Sequence, residues 1–147
     1  MKEKEIIIMR GLPGSGKSTR AAQLAGTTGL VFSTDEFFMV DGRYRFDPFR
    51  LKAAHRWNQQ RVENAAAEGV PLIVVDNTNV TQWEMAPYIR MAQAHGYGVR
   101  FKYPQTPWQF DPRECARRNT HGVPYEAIVR AMERWEAQPF IALPVAA

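Results

Sequence analysis

Apolar residues in this chain are concentrated in short runs that are separated by longer amphipathic stretches. The runs EIIIM (5–9) and PLIVVD (71–76) are unbroken and rich in β-branched residues, which is typical of strands buried on both faces of a parallel sheet. GLVFS (29–33) is another short apolar run, and YGVRFKY (97–103) alternates apolar with polar positions. The pattern therefore predicts four strands.

The remaining segments predict helices, and their end signals are recognisable. Pro48 stands where a first helical turn is expected, Gly69 suits a helix C-terminus and Thr81 suits an N-cap. The expected helices span 17–25, 48–69, 81–96, 111–119 and 124–137. Strands alternating with helices predict an α/β fold in three layers, with a parallel sheet of four to five strands between helices.

The string GLPGSGKS follows the first predicted strand and opens the first predicted helix. Its spacing matches the pattern G-x-x-x-x-G-K-[ST] in full, so backbone N–H groups and the helix N-terminus are expected to hold phosphates. Lys17 would reach the β- and γ-phosphates of ATP, and Ser18 would ligate Mg²⁺. The expected donor-binding residues are Gly11, Leu12, Pro13, Gly14, Ser15, Gly16, Lys17, Ser18 and Thr19.

Two aspartates stand at the ends of other predicted strands. Asp76 ends the run LIVVD, where a carboxylate can hold Mg²⁺, although the string DNTN also suits an Asx turn or a helix cap. Asp35 follows the second strand, where a general base would face the γ-phosphate of a donor. The alternative for this segment is a capping box formed by Ser33 and Glu36, with Asp35 in the first turn.

Candidate acceptor contacts lie downstream of Asp35. Arg43 and Arg45 are interleaved with aromatic residues, a composition that suits a single nucleic-acid strand and equally suits a hairpin whose aromatics cover the core. His55 and Asn58 share a helix face, and Asn79 belongs to DNTN. We expect these five residues on the acceptor side, while a satisfied core histidine remains the alternative for His55. The four tryptophans are expected in the core.

The composition fits one domain, 1–147, of a soluble protein. Net charge is +4, and 14 of the 19 basic residues are arginine, which favours phosphate-bearing partners. No run is long enough to span a membrane, and the N-terminus lacks the apolar stretch of a signal peptide. The single Cys115 excludes an intrachain disulfide, so we expect a cytoplasmic protein without a membrane partner.

Several strings together resemble the polynucleotide-kinase-like domain of the Nedd-four-binding protein family. They are the glycine-rich loop, FSTDEFF, AHRWNQQR, DNTN, WEM and ARRNTHGV, spread over residues 5–135. A more distant similarity is to phage polynucleotide kinases. The resemblance implies a P-loop NTPase fold of the kinase-like type with a helical lid. It also implies that Lys17 and Ser18 bind the donor, that Asp35 is the base, and that Arg118 closes over the donor phosphates. The string RECARR itself places Arg117 beside Arg118 on a predicted helix, so we expect both at the donor, with a solvated basic face as the alternative.

The sequence departs from the phage pattern at two positions. The phage enzymes have an arginine three positions after the base, where this chain has Phe38, and a second lid arginine near the position of His121. The expected activity is still ATP-dependent phosphorylation of a nucleic-acid hydroxyl, with the 5′-OH of a single-stranded DNA or RNA end as acceptor. The alternatives are a kinase for a nucleoside, sugar, antibiotic or hydroxymethylated base, and a non-catalytic ATP-binding interaction module.

Overall fold

The computed structural model describes residues 3–141. Its strands are β1 (Glu5–Met9), β2 (Leu30–Phe32), β3 (Met39–Val40), β4 (Arg43–Tyr44), β5 (Leu72–Val75) and β6 (Gly98–Lys102). Its helices are α1 (Lys17–Ala25), α2 (Leu51–Ala67), α3 (Gln82–His95), α4 (Pro112–Arg118) and α5 (Tyr125–Glu133). Short 3₁₀ helices cover Thr34–Phe38 and Pro48–Arg50.

The main sheet has four parallel strands in the order β2-β5-β1-β6. In its centre Ile7 of β1 is paired with Val74 of β5 on one side and with Arg100 of β6 on the other. The two central runs are those that the sequence shows as unbroken and β-branched, because a central strand is covered on both faces. The predicted parallel four-strand α/β sheet is therefore confirmed.

Helices cover both faces of the sheet, which gives the three layers. Ile6 and Ile8 of β1 pack with side chains of α2 and α3, whereas Ile7 and Met9 pack with Ala21 and its neighbours on α1. The alternation follows from the two-residue period of a strand. Both clusters are closed to solvent, so the carboxyl ends of β1 and β5 are held rigidly where the glycine-rich loop and Asp76 follow.

A small antiparallel hairpin of β3 and β4 follows the 3₁₀ helix after β2. Phe38, which is buried, makes edge-to-face contacts with Tyr44 and Phe46 of this segment. The aromatics of the string RYRF therefore cover Phe38, which is the hairpin alternative that the sequence left open. The hairpin stands beside the end of β2, next to Asp35.

The last two helices form a separate layer over the loop. Leu12 of the loop, Cys115 of α4 and Ile128 of α5 share a third buried cluster. Asp111 caps α4 by accepting hydrogen bonds from the backbone of Arg113 and Glu114 at 3.1 and 3.3 Å. Burial raises the pKa of Cys115 to about 11, so its thiol stays neutral and serves packing.

The four tryptophans do not share one environment. Trp57 and Trp135 are partly buried against other aromatic rings, and Trp108 is partly buried beside the loop. Trp83 is 79% exposed, so the expectation that it belongs to the core is wrong. It occupies the first turn of α3, where its ring projects from the helix instead of facing the sheet.

In residues 3–141, no helix combines the length and the apolar character that crossing a membrane requires.

Candidate active site

The glycine-rich loop between β1 and α1 has the backbone shape of a phosphate cradle. Gly14 and Gly16 adopt φ values of +81° and +95°, which side-chain-bearing residues rarely adopt. Gly16 is the N-cap of α1, and no side chain caps the N–H groups of the first turn. These donors are consequently free to face an anion.

The side chain of Lys17 is buried against the end of β5. Its Nζ donates to Asp76 Oδ1 at 2.7 Å, and both residues are at least nine-tenths buried. Since a buried charge is costly without a partner, the pair fixes both side chains at the carboxyl edge of the sheet. The ammonium group of Lys17 is therefore held beside the end of β5, next to the loop.

The segment between β6 and α4 anchors the loop from the other side. Thr106 Oγ1 donates to the carbonyl of Ser15 at 2.7 Å, and Trp108 Nε1 donates to the carbonyl of Gly14 at 3.1 Å. Because a trans peptide holds its N–H opposite its carbonyl, the N–H groups of Ser15 and Gly16 point away from this segment, and that of Ser15 donates to the carbonyl of Leu12 at 3.1 Å. The layer of α4 and α5 is thus joined to the loop by direct hydrogen bonds.

Asp35 stands in the 3₁₀ helix that follows β2, and its carboxylate takes no part in the cap of that helix. The capping box forms between Ser33, whose Oγ accepts from the Asp35 backbone at 3.2 Å, and Glu36, whose Oε1 accepts from the Ser33 backbone at 3.1 Å. The alternative drawn from the sequence is therefore present, yet it uses the neighbours of Asp35. The box fixes the turn and leaves the Asp35 side chain to face the loop.

Two side chains from distant segments contact the Asp35 carboxylate. Tyr44 Oη donates to Oδ1 at 3.3 Å, and His121 Nδ1 lies 3.3 Å from Oδ2. The rings of Tyr44 and His121 are stacked, with centroids 3.9 Å apart. Burial, reinforced by the negative charge of Asp35, raises the pKa of Tyr44 well above its ordinary value, so the phenol remains a donor.

Arg118 ends α4 and lies over the indole of Trp108, with 3.7 Å between the guanidinium carbon and the ring centroid. Its Nε donates to Glu114 Oε1 at 2.7 Å. Hydrogen bonds from Arg117 and Arg118 lower the pKa of Glu114 to about 2, so this carboxylate stays ionised and keeps its arginine partners. Arg118 is held on two sides and lines the same cavity as the loop.

One cavity of about 370 Å³ brings these groups together. The predicted site residues that line it are Leu12, Pro13, Gly14, Gly16, Lys17, Ser18, Thr19, Asp35 and Arg118. Asn119, Thr120 and His121, which follow α4, also line it, and Tyr44 lines it beside Asp35. The glycine-rich loop, the Asp35 carboxylate and Arg118 therefore share one cavity.

Other predicted residues lie outside that cavity, for reasons visible in their packing. Gly11 and Ser15 are buried within the loop itself, and Asp76 is buried against Lys17 at the end of β5. Arg117 is exposed and paired with Glu114, and Arg43 and Arg45 are exposed on the hairpin. The three arginine side chains surround the site without lining its interior.

The three polar candidates on the acceptor side have separate environments. Asn58 is fully buried and donates to Tyr88 Oη at 3.0 Å, and Asn79 is buried and donates to the carbonyl of Met9 at 2.7 Å. Both amides connect elements of the fold. His55 is partly buried in a different groove, and burial lowers its pKa despite the opposing charges of Glu84 and Asp35.

The sequence indicated Tyr44 only as one of the aromatics interleaved with Arg43 and Arg45, and it did not single out Thr78 or Trp108 as lining residues. A usable signal existed for Tyr44: in a strand, alternate side chains point to opposite faces, so Tyr44 must point away from Arg43 and Arg45. Thr78 and Trp108 belong to loops whose course depends on long-range packing. Nothing in their local sequence places them beside the phosphate cradle.

The residues around the loop suit Mg²⁺ bound together with phosphates. Within residues 3–141, no group of three or more His, Cys, Asp or Glu side chains could hold a metal ion by itself. Mg²⁺ prefers oxygen ligands and commonly takes one or two from the protein, with the rest from water and substrate phosphates. The Ser18 hydroxyl in the cavity and the Asp76 carboxylate beside Lys17 provide that kind of ligand.

Gly14→Ala should damage the loop through both backbone strain and a clash. A Cβ at Gly14 would lie 2.0 Å from the carbonyl oxygen of Cys115, so the loop and α4 would have to separate. Strain at positive φ alone costs roughly 1–2 kcal/mol, and the clash adds to it. We expect a lower melting temperature and at least about tenfold weaker binding of a fluorescent ATP analogue, measured by anisotropy.

Gly122→Ala is the matched control, because Gly122 also has positive φ, +69°, but no atom lies within 4 Å of a Cβ built there. It should lose stability from strain alone and should bind the ATP analogue nearly as well as the parent. Equal effects of the two substitutions on nucleotide binding would contradict a close contact between Gly14 of the loop and Cys115 of α4.

The geometry described so far defines a P-loop domain of the kinase-like type, and comparison with known proteins agrees. The family model described as "AAA domain" matches residues 6–139, so the chain belongs to that family. Human NEDD4-binding protein 2 is 44% identical over 142 residues, which are 95% of this chain and 8% of that protein. The resemblance to the polynucleotide-kinase-like domain of the Nedd-four-binding protein family is therefore confirmed.

Two further proteins are similar to this chain over only part of their own length. Mouse 2′,3′-cyclic-nucleotide 3′-phosphodiesterase is 28% identical over 121 residues, which are 79% of this chain and 27% of that protein. A chain in the structure of the Pnkp1/Rnl/Hen1 RNA repair complex superposes with a TM-score of 0.68 at 19% identity, covering 91% of this chain and 44% of that one. This chain thus spans less than half of each of these proteins, and the structural likeness establishes the fold.

Proposed function

We propose that this chain is an ATP- and Mg²⁺-dependent kinase that transfers the γ-phosphoryl group to a nucleic-acid hydroxyl, the 5′-OH of DNA or RNA. The observation that supports this most is that the Asp35 carboxylate lines the same cavity as Lys17 and Ser18 of the loop. Nucleotide binding needs only the loop. A carboxylate facing it suits removal of a proton from an acceptor hydroxyl.

The transfer would proceed with each group in one role. Asp35 accepts the proton of the acceptor hydroxyl while the oxygen of that hydroxyl forms a bond to the γ-phosphorus. The bond between the γ-phosphorus and the β–γ bridging oxygen breaks at the same time, and ADP leaves. Lys17 and Arg118 balance negative charge on the donor phosphates. Bound Mg²⁺, held by Ser18 and Asp76, would supply further charge neutralisation.

Tyr44 and His121 position the base in this mechanism. Both contact Asp35, one at each carboxylate oxygen, so the carboxylate keeps a fixed direction toward the cavity. A fixed base loses less orientational freedom when the acceptor binds. The position three residues after Asp35, where phage enzymes have an arginine, is the buried Phe38, so the acceptor contacts must differ from theirs.

Two observations favour a nucleic acid as the acceptor. Net charge is +4, and most basic residues are arginines, which bind phosphate in a bidentate manner. A structural relative, moreover, belongs to an assembly named as an RNA repair complex. An acceptor with a phosphate backbone would pair with the excess of cationic side chains, whereas a neutral nucleoside would not.

An acceptor screen tests this proposal directly. The protein is incubated with γ-³²P-ATP, Mg²⁺ and 5′-OH oligonucleotides of DNA and RNA, single- and double-stranded, beside nucleosides and sugars. We expect label on the 5′ end of an oligonucleotide and its loss after treatment with a phosphatase. The label should be absent with oligonucleotides that already carry a 5′-phosphate.

The alternatives give different outcomes in the same screen. Label on a nucleoside, sugar or hydroxymethylated base without label on 5′-OH ends would identify another kinase. ATP binding without label on any acceptor would identify a non-catalytic interaction module. Either result would overturn the proposal of a polynucleotide 5′-kinase.

A further inference from the structure

A second, larger groove of about 940 Å³ lies between α2 and α3, outside the cavity just described. Four cationic side chains line it: Lys52, Arg56, Arg90 and Arg134. Within residues 3–141, no carboxylate lies within 4 Å of their charged nitrogens. Four unneutralised cations along one groove create a field that attracts a polyanion.

One acidic residue, Glu84, also lines the groove and offsets part of that charge. Glu84 Oε2 accepts hydrogen bonds from the Thr81 backbone at 2.8 Å and from Thr81 Oγ1 at 3.2 Å, because it completes the capping box of α3. Its carboxylate is therefore engaged at the start of the helix. The groove keeps an excess of positive charge.

The groove also offers an exposed aromatic ring. Trp83 lines it and is 79% exposed, although tryptophan is a highly buried residue type on average. A flat indole beside cations is the arrangement with which proteins bind single-stranded nucleic acid, through stacked bases and paired phosphates. An acidic peptide would use the cations but would gain little from the ring.

The groove and the active-site cavity are neighbours along one loop. Thr78 lines the cavity, whereas Val80 and Thr81 line the groove. Between them Asn79 donates to the carbonyl of Met9 in β1 at 2.7 Å, which fixes this loop where the two spaces adjoin. His55, which lines the groove, is also within the electrostatic reach of Asp35.

We propose that the α2–α3 groove binds the single strand that extends from the acceptor end, with phosphates on Lys52, Arg56 and Arg90 and a base stacked on Trp83. This inference rests on the proposed function for its connection to catalysis. It adds a specific prediction: the chain should prefer an acceptor of several nucleotides over a mononucleotide, because only the longer one reaches the groove.

The first test measures binding without any catalytic step. Anisotropy of a 3′-fluorescein-labelled 5′-OH dT12 is titrated with the parent chain, with the triple variant K52A/R56A/R90A and with the control triple R100A/R113A/R130A. Each lost phosphate contact should weaken binding about fivefold near 0.1 M salt, so the groove triple should bind roughly 100-fold more weakly and show a shallower salt dependence. The control triple should stay within a few-fold of the parent.

The stacking contact has its own variants. Trp83→Ala should weaken dT12 binding roughly 5- to 150-fold, and Trp83→Phe should recover most of it because a flat ring remains. A glutamate oligopeptide of equal charge should bind the parent poorly and should not respond to Trp83→Ala. Nucleotide affinity and melting temperature of each variant, which report an intact fold, should match those of the parent.

Kinetics then separate failure of the groove from failure of the proposed function. With the groove triple, KM for dT12 should rise while KM for thymidine 3′-monophosphate stays unchanged. Equal dT12 binding by the groove and control triples, or an oligopeptide bound as tightly as dT12, would overturn the groove assignment even if 5′ ends are phosphorylated. Groove-dependent dT12 binding without phosphorylation of any oligonucleotide would instead overturn the kinase and leave the binding groove standing.

Discussion

Replacing Arg118 with Ala should lower kcat for phosphoryl transfer by roughly 10³-fold or more, the effect of losing an arginine that balances charge in the transition state. Trp108 and Glu114 hold its guanidinium at the edge of the cavity that contains the loop. Because Arg118 is partly exposed and lies at the end of α4, its removal should leave the fold intact. Single-turnover transfer from γ-³²P-ATP measures the loss.

Arg113→Ala is the matched control, since Arg113 belongs to the same helix, is exposed and lies outside the cavity. Its turnover should stay within about twofold of the parent, as is usual for a surface substitution. Arg118→Lys gives a second comparison: it keeps one charge but loses the planar fork, so it should restore only part of the rate. Full activity of Arg118→Ala would remove the lid arginine from the mechanism.

The centre of the fold was predictable because its signals are local. The β-branched runs, the complete loop pattern and the capping residues each restrict the backbone within a few positions, and those elements appear where the sequence predicts them. Leu30–Phe32 is shorter than predicted because it is an edge strand with partly exposed side chains, so less of its apolar run is paired. The last helix ends at Glu133, since the segment after it folds back to β1 through Arg10.

The acceptor side was less predictable because its residues meet only through long-range packing. Asn58 and Asn79 are polar residues near candidate motifs, and both turn out to join secondary-structure elements in the interior. A polar side chain that is hydrogen-bonded inside the fold and one that binds a ligand look alike in a sequence. Tyr44 and His121, which do meet Asp35, are separated by a long stretch of chain, and no local pattern connects them.

Asp35 shows how a structural signal and a functional signal can occupy the same few residues. The capping box of Ser33 and Glu36 was an alternative to a catalytic Asp35, yet the box is what orients the turn that presents it. A rigid turn is an advantage for a base, because the side chain then needs no reorganisation when an acceptor arrives. The role of Asp35 stays a prediction, and substitution is its most direct test.

Replacing Asp35 with Asn should reduce kcat about 10²- to 10⁴-fold while ATP affinity stays nearly unchanged, because the amide keeps the shape of the carboxylate but cannot accept the proton. Tyr44 can still donate to the amide oxygen, so the local packing is preserved. The measurements are the initial rate on a 5′-OH oligonucleotide at saturating ATP and the affinity for a fluorescent ATP analogue.

Glu36→Gln provides the comparison that makes the result specific to position 35. Glu36 is the adjacent carboxylate of the same turn, but it accepts from Ser33 and pairs with Arg61 at 3.2 Å, away from the cavity. A glutamine can still accept the capping hydrogen bond, so turnover should change by no more than about twofold. If Glu36→Gln lost as much activity as Asp35→Asn, the turn as a whole would matter and proton transfer to Asp35 would not explain the rate. Unchanged turnover in Asp35→Asn would exclude that carboxylate as the base, even though it faces the loop.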